Sequence, residues 1–260
     1  MSTIRPESTI GELVAERPAR SRVFESLKID YCCGGKLPLS QACGKLGLST
    51  AAVLEMLEKS DNEQTRPGLA DAGAMSLTAL ADHIVHAHHD FLRAELPRLD
   101  AITEKVFRVH GDHEPRLLRV REAFCSLKDE MLSHMAKEEH VLFPMIRKME
   151  QTHTPPTPQS CCGGTLTHPI TQMEAEHDQS GETLAVIRAA TDEYVPPSWA
   201  CNTYRAMLDG LAGLERDMHQ HIHKENHVLF PKALAMEAQL SGVRHGGAAH
   251  GGTGGCGCGH

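Results

Sequence analysis

Aromatic side chains are scarce in this chain: one Trp, three Tyr and six Phe among 260 residues. The core must therefore be built from Leu, Ala, Met, Val and Ile, as a helical bundle allows. No run of about 18 apolar residues occurs, so no membrane-crossing helix is expected. The opening MSTIRPESTI has no apolar stretch of the signal-peptide type, and the expected location is cytoplasmic. An excess of positive charge is also missing. The net charge of −8 argues against nucleic acid and anionic membrane as partners. The His-Glu-x-x-His pattern of zinc peptidases is absent. Cysteine is not scarce, at nine residues, but in a reducing compartment these are expected as thiols and not as a disulfide framework. The length accommodates a bundle of about 160 residues plus a smaller domain.

What is present is a repeat. The segment HMAKEEHVLFP, from His134 to Pro144, returns as HIHKENHVLFP from His221 to Pro231. The leading His, the Lys, the first Glu and the closing His-Val-Leu-Phe-Pro coincide. Residues four apart on a helix stack one turn above each other, so His134 with Glu138, and His221 with Glu225, each form an imidazole–carboxylate pair on one face. Glu139 is replaced by Asn226 in the second copy, which makes Glu138 the better ligand candidate of the two neighbours. His140 and His227 also repeat, but they point away from that face. Upstream of each copy stands a His-Asp doublet, His89-Asp90 and His177-Asp178. A duplicated helix pair points to a four-helix bundle with a metal site built inside it. The inventory of His89, His134, Glu138, His177, His221 and Glu225 is too large for one ordinary ion. It suits two irons bridged by the two carboxylates. Other histidines, including His83, His86, His88, His219 and His223, lack a matched partner and read as ordinary core or surface residues.

The organisation expected along the chain is all-α. Residues 1–60 form a small helical domain, opened by a capping box at Thr9–Glu12 and containing a turn at the Cys-Cys-Gly-Gly segment, with its thiols and amides exposed. Residues 61–76 read as a linker, 77–240 as the up-down bundle, and 241–260 as a disordered Gly/His/Cys tail. The link at 150–168, rich in Pro, Thr and Gly, is expected to be flexible.

The motif set DYCCGGK, followed by HD…HMAKEE…LFP…EHD…HIHKEN…LFP, resembles the RIC ("repair of iron centres") proteins over about residues 8–240. That resemblance implies a haemerythrin-like bundle holding two non-haem irons, oxo- and carboxylate-bridged, on the six residues named above. It also implies that Cys32 and Cys33 match the family's N-terminal pair and that His110, in VFRVHGD, lies near the iron pocket. Glu130 and Glu176 are expected beside the site, on a route for small molecules or iron. The function implied is repair of iron–sulfur clusters damaged by nitrosative and oxidative stress, by donating iron or handling nitric oxide. Damaged iron–sulfur proteins would be the partners, and nitric oxide or oxygen the small ligands. The alternatives are a haemerythrin-like oxygen or nitric oxide binder or sensor, and a nitric oxide reductase. Iron-centre repair is favoured over turnover catalysis, and a homodimer is compatible with the pattern.

Overall fold

The computed structural model describes residues 4–32, 34–62, 72–156 and 164–246, and among them no strand occurs beyond an isolated bridge between Thr9 and Pro38. The amino-terminal part consists of α1 (Ile10–Glu16), α2 (Ser21–Ser26), α3 (Leu39–Lys45) and α4 (Thr50–Asn62). Helix α1 starts at the capping box: the Thr9 hydroxyl accepts from the Glu12 amide while the Glu12 carboxylate accepts from the Thr9 amide. Phe24, Tyr31, Leu39, Cys43, Val53 and Leu57 form its core. Buried Arg20 ties the small domain together, donating to the Asp61 carboxylate, to Glu16 and to the Leu13 carbonyl. These contacts satisfy a charge that would be costly to leave buried alone.

The described residues from 77 onward form four long antiparallel helices. The first combines α5 (Leu77–Ile84), a π turn at Val85–His89 and α6 (Asp90–His110). The second joins α7 (Arg116–Lys137), a π turn at Glu138–Leu142 and α8 (Phe143–Thr152). The third is the uninterrupted α9 (Thr167–Ala190). The fourth joins α10 (Asn202–Lys224), a π turn at Glu225–Leu229 and α11 (Phe230–Gly246). The last helix thus continues past Ser241, where a disordered tail was expected; residues 247–260 lie outside the described residues. Two of the three π turns precede Pro144 and Pro231. Proline has no N–H to give and its ring crowds the carbonyl four residues back, so a wider turn just before it relieves both problems.

The repeat extends to the helix ends. Glu150 accepts from the backbone amides of Leu77 and Thr78, and Glu237, twelve residues beyond Glu225 as Glu150 is beyond Glu138, accepts from the Leu166 amide. Each carboxylate satisfies orphan donors at the start of the preceding long helix, where the helix dipole also favours negative charge. The bundle core falls into two apolar layers. One gathers Leu92, Leu96, Phe124, Leu127, Met131, Leu184, Leu211 and Leu214. The other gathers Leu80, Ile84, Phe143, Ile146, Ile170, Met173, Leu229 and Phe230. The polar repeat residues lie between them.

The small domain docks on the fourth long helix. His227 Nε2 donates to the Cys32 carbonyl at 2.8 Å, and its ring is held between Gly11 and Gly35, where an added Cβ would come within 2.4 Å and 2.3 Å of the ring nitrogens. Both positions therefore require glycine. Tyr31 packs edge-on against His219 and His223. The Cys32 side chain is only 2% exposed and belongs to the core of the bundle, which corrects the expectation of an exposed thiol there. Cys33 lies outside the described residues.

Candidate metal centre

Six side chains converge between the two apolar layers. His89, Glu138, His177, His221 and Glu225 are 0% exposed and His134 is 1% exposed. Their donor atoms fall into two overlapping groups: His89, His221, Glu138 and Glu225, and His134, His177, Glu138 and Glu225. Within each group the donor atoms all lie within 4.8 Å of one another, and both carboxylates belong to both groups. The groups interchange when the first helix pair is swapped for the second, so the internal repeat has become a pseudo-two-fold axis through the site. Nε2 of His89 lies 3.1 Å from Nε2 of His221, and Nε2 of His134 lies 3.0 Å from Nε2 of His177. Carboxylate oxygens approach the same nitrogens: His89 to Glu138 at 3.3 Å, His134 to Glu138 at 3.4 Å, His177 to Glu225 at 3.1 Å and His221 to Glu225 at 3.0 Å.

Both Glu138 oxygens and Oε2 of Glu225 are buried without a hydrogen-bond partner. Orphaned carboxylate oxygens facing paired imidazole nitrogens are costly in a dry interior unless a cation is shared among them. A donor set of this composition can hold a metal ion, and imidazole with carboxylate suits iron.

Electrostatics show how strongly the groups depend on one another. Burial opposes a charged His134, yet the Glu138 and Glu176 carboxylates outweigh it and raise this imidazole to about 10. His89 is raised in the same way, burial being overcome by Glu138 and Glu139. His221 moves the opposite way, because burial and the neighbouring His89 and His88 outweigh Glu225. Burial works against a charged Glu225, but the His221 and His177 rings hold it well below the usual carboxylate range. Cation binding must displace the protons on these rings.

Three of the four outer nitrogens are also fixed, that of His221 being buried without a partner. Nδ1 of His89 meets Glu139 at 2.6 Å, Nδ1 of His134 meets Glu176 at 2.9 Å, and Nδ1 of His177 meets Asn226 Oδ1 at 2.8 Å. These acceptors keep the proton on Nδ1 and turn the Nε2 lone pair inward. Sequence reasoning set Glu139 and Asn226 aside because they differ between copies, yet they occupy matched positions and do the same job. The detectable signal was shared acceptor chemistry instead of residue identity. Phe143 and Phe230 stack on the rings of His89 and His177. His88, expected as an ordinary histidine, is buried, stacks on His221 at 5.4 Å and is bonded to Asp217. Burial and Lys224 push its imidazole down to about 3.

Of the accessory positions, Glu130 and Glu176 line a cavity of about 350 Å³ that also reaches His134 and Asp129. Glu176 additionally binds Lys137 and is lowered to about 2, chiefly by His134. His110 is not beside the site. It ends α6, about 30 Å along the helix from His89, and contacts Cys201 and Trp199. Its distance from the site follows from the length of α6, which the resemblance of the VFRVHGD segment does not convey.

Comparison with known proteins agrees with this arrangement. Residues 80–233 match the haemerythrin HHE cation binding domain, and residues 6–61 match a domain of unknown function, DUF542, known as ScdA_N. The chain is 37% identical over 232 residues to the iron-sulfur cluster repair protein YtfE of Musicola paradisiaca (strain Ech703), covering 89% of this chain and 98% of the relative. Against the same-named proteins of Enterobacter sp. (strain 638) and Escherichia coli O8 (strain IAI1) the identities are 38% and 37% over 231 residues, with the same coverage. Both matched regions, in this order and around this cluster, make the chain a member of the RIC family of iron–sulfur cluster repair proteins.

Proposed function

We propose that the six clustered residues hold two iron ions and that the protein repairs iron–sulfur clusters damaged by nitrosative or oxidative stress. The observation that carries this reading is the sharing of Glu138 and Glu225 by both donor groups, which favours a carboxylate-bridged pair over two independent sites. Bound there, iron would supply Lewis-acid and one-electron chemistry toward small diatomic ligands, or would itself be handed on. His89 and His221 would hold one ion and His134 and His177 the other. Two imidazoles and two carboxylates fall short of an octahedral set, so each ion would keep open positions for ligands or for exchange. Glu139, Glu176 and Asn226 orient the rings, while the apolar layers on either side limit water. The acidic wall formed by Asp129, Glu130 and Glu176 gives cations a route to His134.

The proposal is tested with iron-loaded protein and a hydratase whose cluster has been inactivated by nitric oxide, with no iron added. Recovery of hydratase activity, with matching loss of iron from this protein, is expected. Tight nitric oxide binding without recovery would favour a binding or sensing role. Catalytic formation of nitrous oxide with a reductant, again without recovery, would replace repair by nitric oxide reduction.

A further inference from the structure

A nucleophile–base pair stands at the end of the bundle remote from the metal centre. Sγ of Cys201 lies 3.3 Å from Nε2 of His110, bringing together the end of α6 and the start of α10. Cys201 is exposed, whereas Cys32 and Cys43 are buried and Cys125 is partly so. It also occupies the N-cap of the 23-residue α10 in extended conformation, with no side-chain capping bond, so its sulfur is free to point at solvent and at His110. An imidazole nitrogen within hydrogen-bond reach of a thiol is placed to take its proton as the sulfur attacks. Aromatic rings flank His110: Trp199 lies 5.7 Å from its ring and 4.6 Å from that of His113, and Tyr204 lies 5.8 Å from His110. Neither Cys201 nor His110 belongs to a group of three or more potential metal donors among the described residues. That favours sulfur chemistry over a second metal site.

We propose that Cys201 is a reactive thiol that exchanges with low-molecular-weight disulfides, His110 acting as its base. In the exchange, the Cys201 proton passes to Nε2 of His110, and the thiolate attacks one sulfur of the disulfide. The new S–S bond forms as the old one breaks, and the departing thiolate takes the proton back from His110. One small disulfide and one cysteine give one mixed disulfide and one small thiol, with no external oxidant. The aromatic wall shelters the adduct, and the exposed side of Cys201 admits the reagent. Because the pair lies far from the iron ligands, its modification is a property separate from metal binding.

The test uses the full chain with glutathione disulfide near neutral pH, and mass spectrometry of digested samples follows adduct formation at each cysteine. Cys201 is expected to react at least about tenfold faster than Cys125, and His110→Gln is expected to slow Cys201 by about tenfold while leaving Cys125 unchanged. Trp199 is the sole tryptophan, so its emission should change as the adduct forms in the native chain and stay constant in Cys201→Ser. Equal rates at Cys201 and Cys125, or a Cys201 rate unaffected by His110→Gln with native circular dichroism retained, would overturn the proposal. Iron content measured on the same samples should stay constant throughout.

Discussion

Replacing Glu138 by Gln keeps the side-chain volume and removes a charge that both donor groups share. If two irons sit on the six residues, the variant should lose both, whereas His177→Gln, which touches only one group, should retain close to one equivalent. The magnitude can be followed through stability. Iron at 1,000 times its dissociation constant stabilises a native state by about 4 kcal/mol. For a chain of this size about 1 kcal/mol moves the melting temperature by roughly 2–4 °C, so iron should raise the native melting point by about 8–16 °C. Glu138→Gln should show almost none of that rise, and His177→Gln an intermediate one. Without metal Glu138→Gln should itself lower stability, because the His89 and His134 rings, whose charged forms the Glu138 carboxylate favours, lose their partner, and relief of the repulsion from Glu225 offsets only part of that loss. Anaerobic thermal melts with and without ferrous iron, run beside iron analysis, measure every part of this. A Glu138→Gln protein that keeps one iron and the full melting-point rise would refute the shared-carboxylate reasoning.

The lowered Glu176 carboxyl adds stability that is complete above its ordinary range, near 4.5, and is lost as pH falls toward about 2. In metal-free protein Glu176→Gln should abolish that acid-limb loss, expected at about 2 kcal/mol after allowing for solvent screening, as read by urea unfolding between pH 5 and pH 3. Gly35→Ala places a methyl group against His227 and the Tyr31 carbonyl and should destabilise the protein by about 2 kcal/mol. Combining it with His227→Ala should recover part of that loss in a double-mutant cycle. Arg20→Ala leaves the partly buried Asp61 without its main partner and should cost about 3 kcal/mol, seen as early proteolysis of residues 10–62.

The repeat made much of this legible before any coordinates. His134 and Glu138, and His221 and Glu225, needed only helical geometry to be paired, and the matching His89 and His177 followed from offsets that differ by a single residue. What the sequence concealed depends on contacts between distant segments. Glu139 and Asn226 became visible as ring-orienting residues only once His89 and His177 were in place. The burial of Cys32 depends on His227, far along the chain, meeting its carbonyl. His110 was drawn toward the candidate metal centre by its motif, but a continuous α6 carries it about 30 Å away. The π turns are not written in periodicity either, since a single wide turn leaves the hydrophobic pattern almost unchanged.

The pseudo-two-fold axis has a consequence for how such a centre could arise. Each half of the bundle supplies a lone imidazole from its first helix and an imidazole–carboxylate pair from its second, and neither half can surround an ion by itself. Two identical copies of one half, meeting face to face, would generate the same six donors. The stretch joining Thr152 to Thr167 therefore does for one molecule what dimerisation would do for two, replacing a concentration-dependent encounter by a permanent tether.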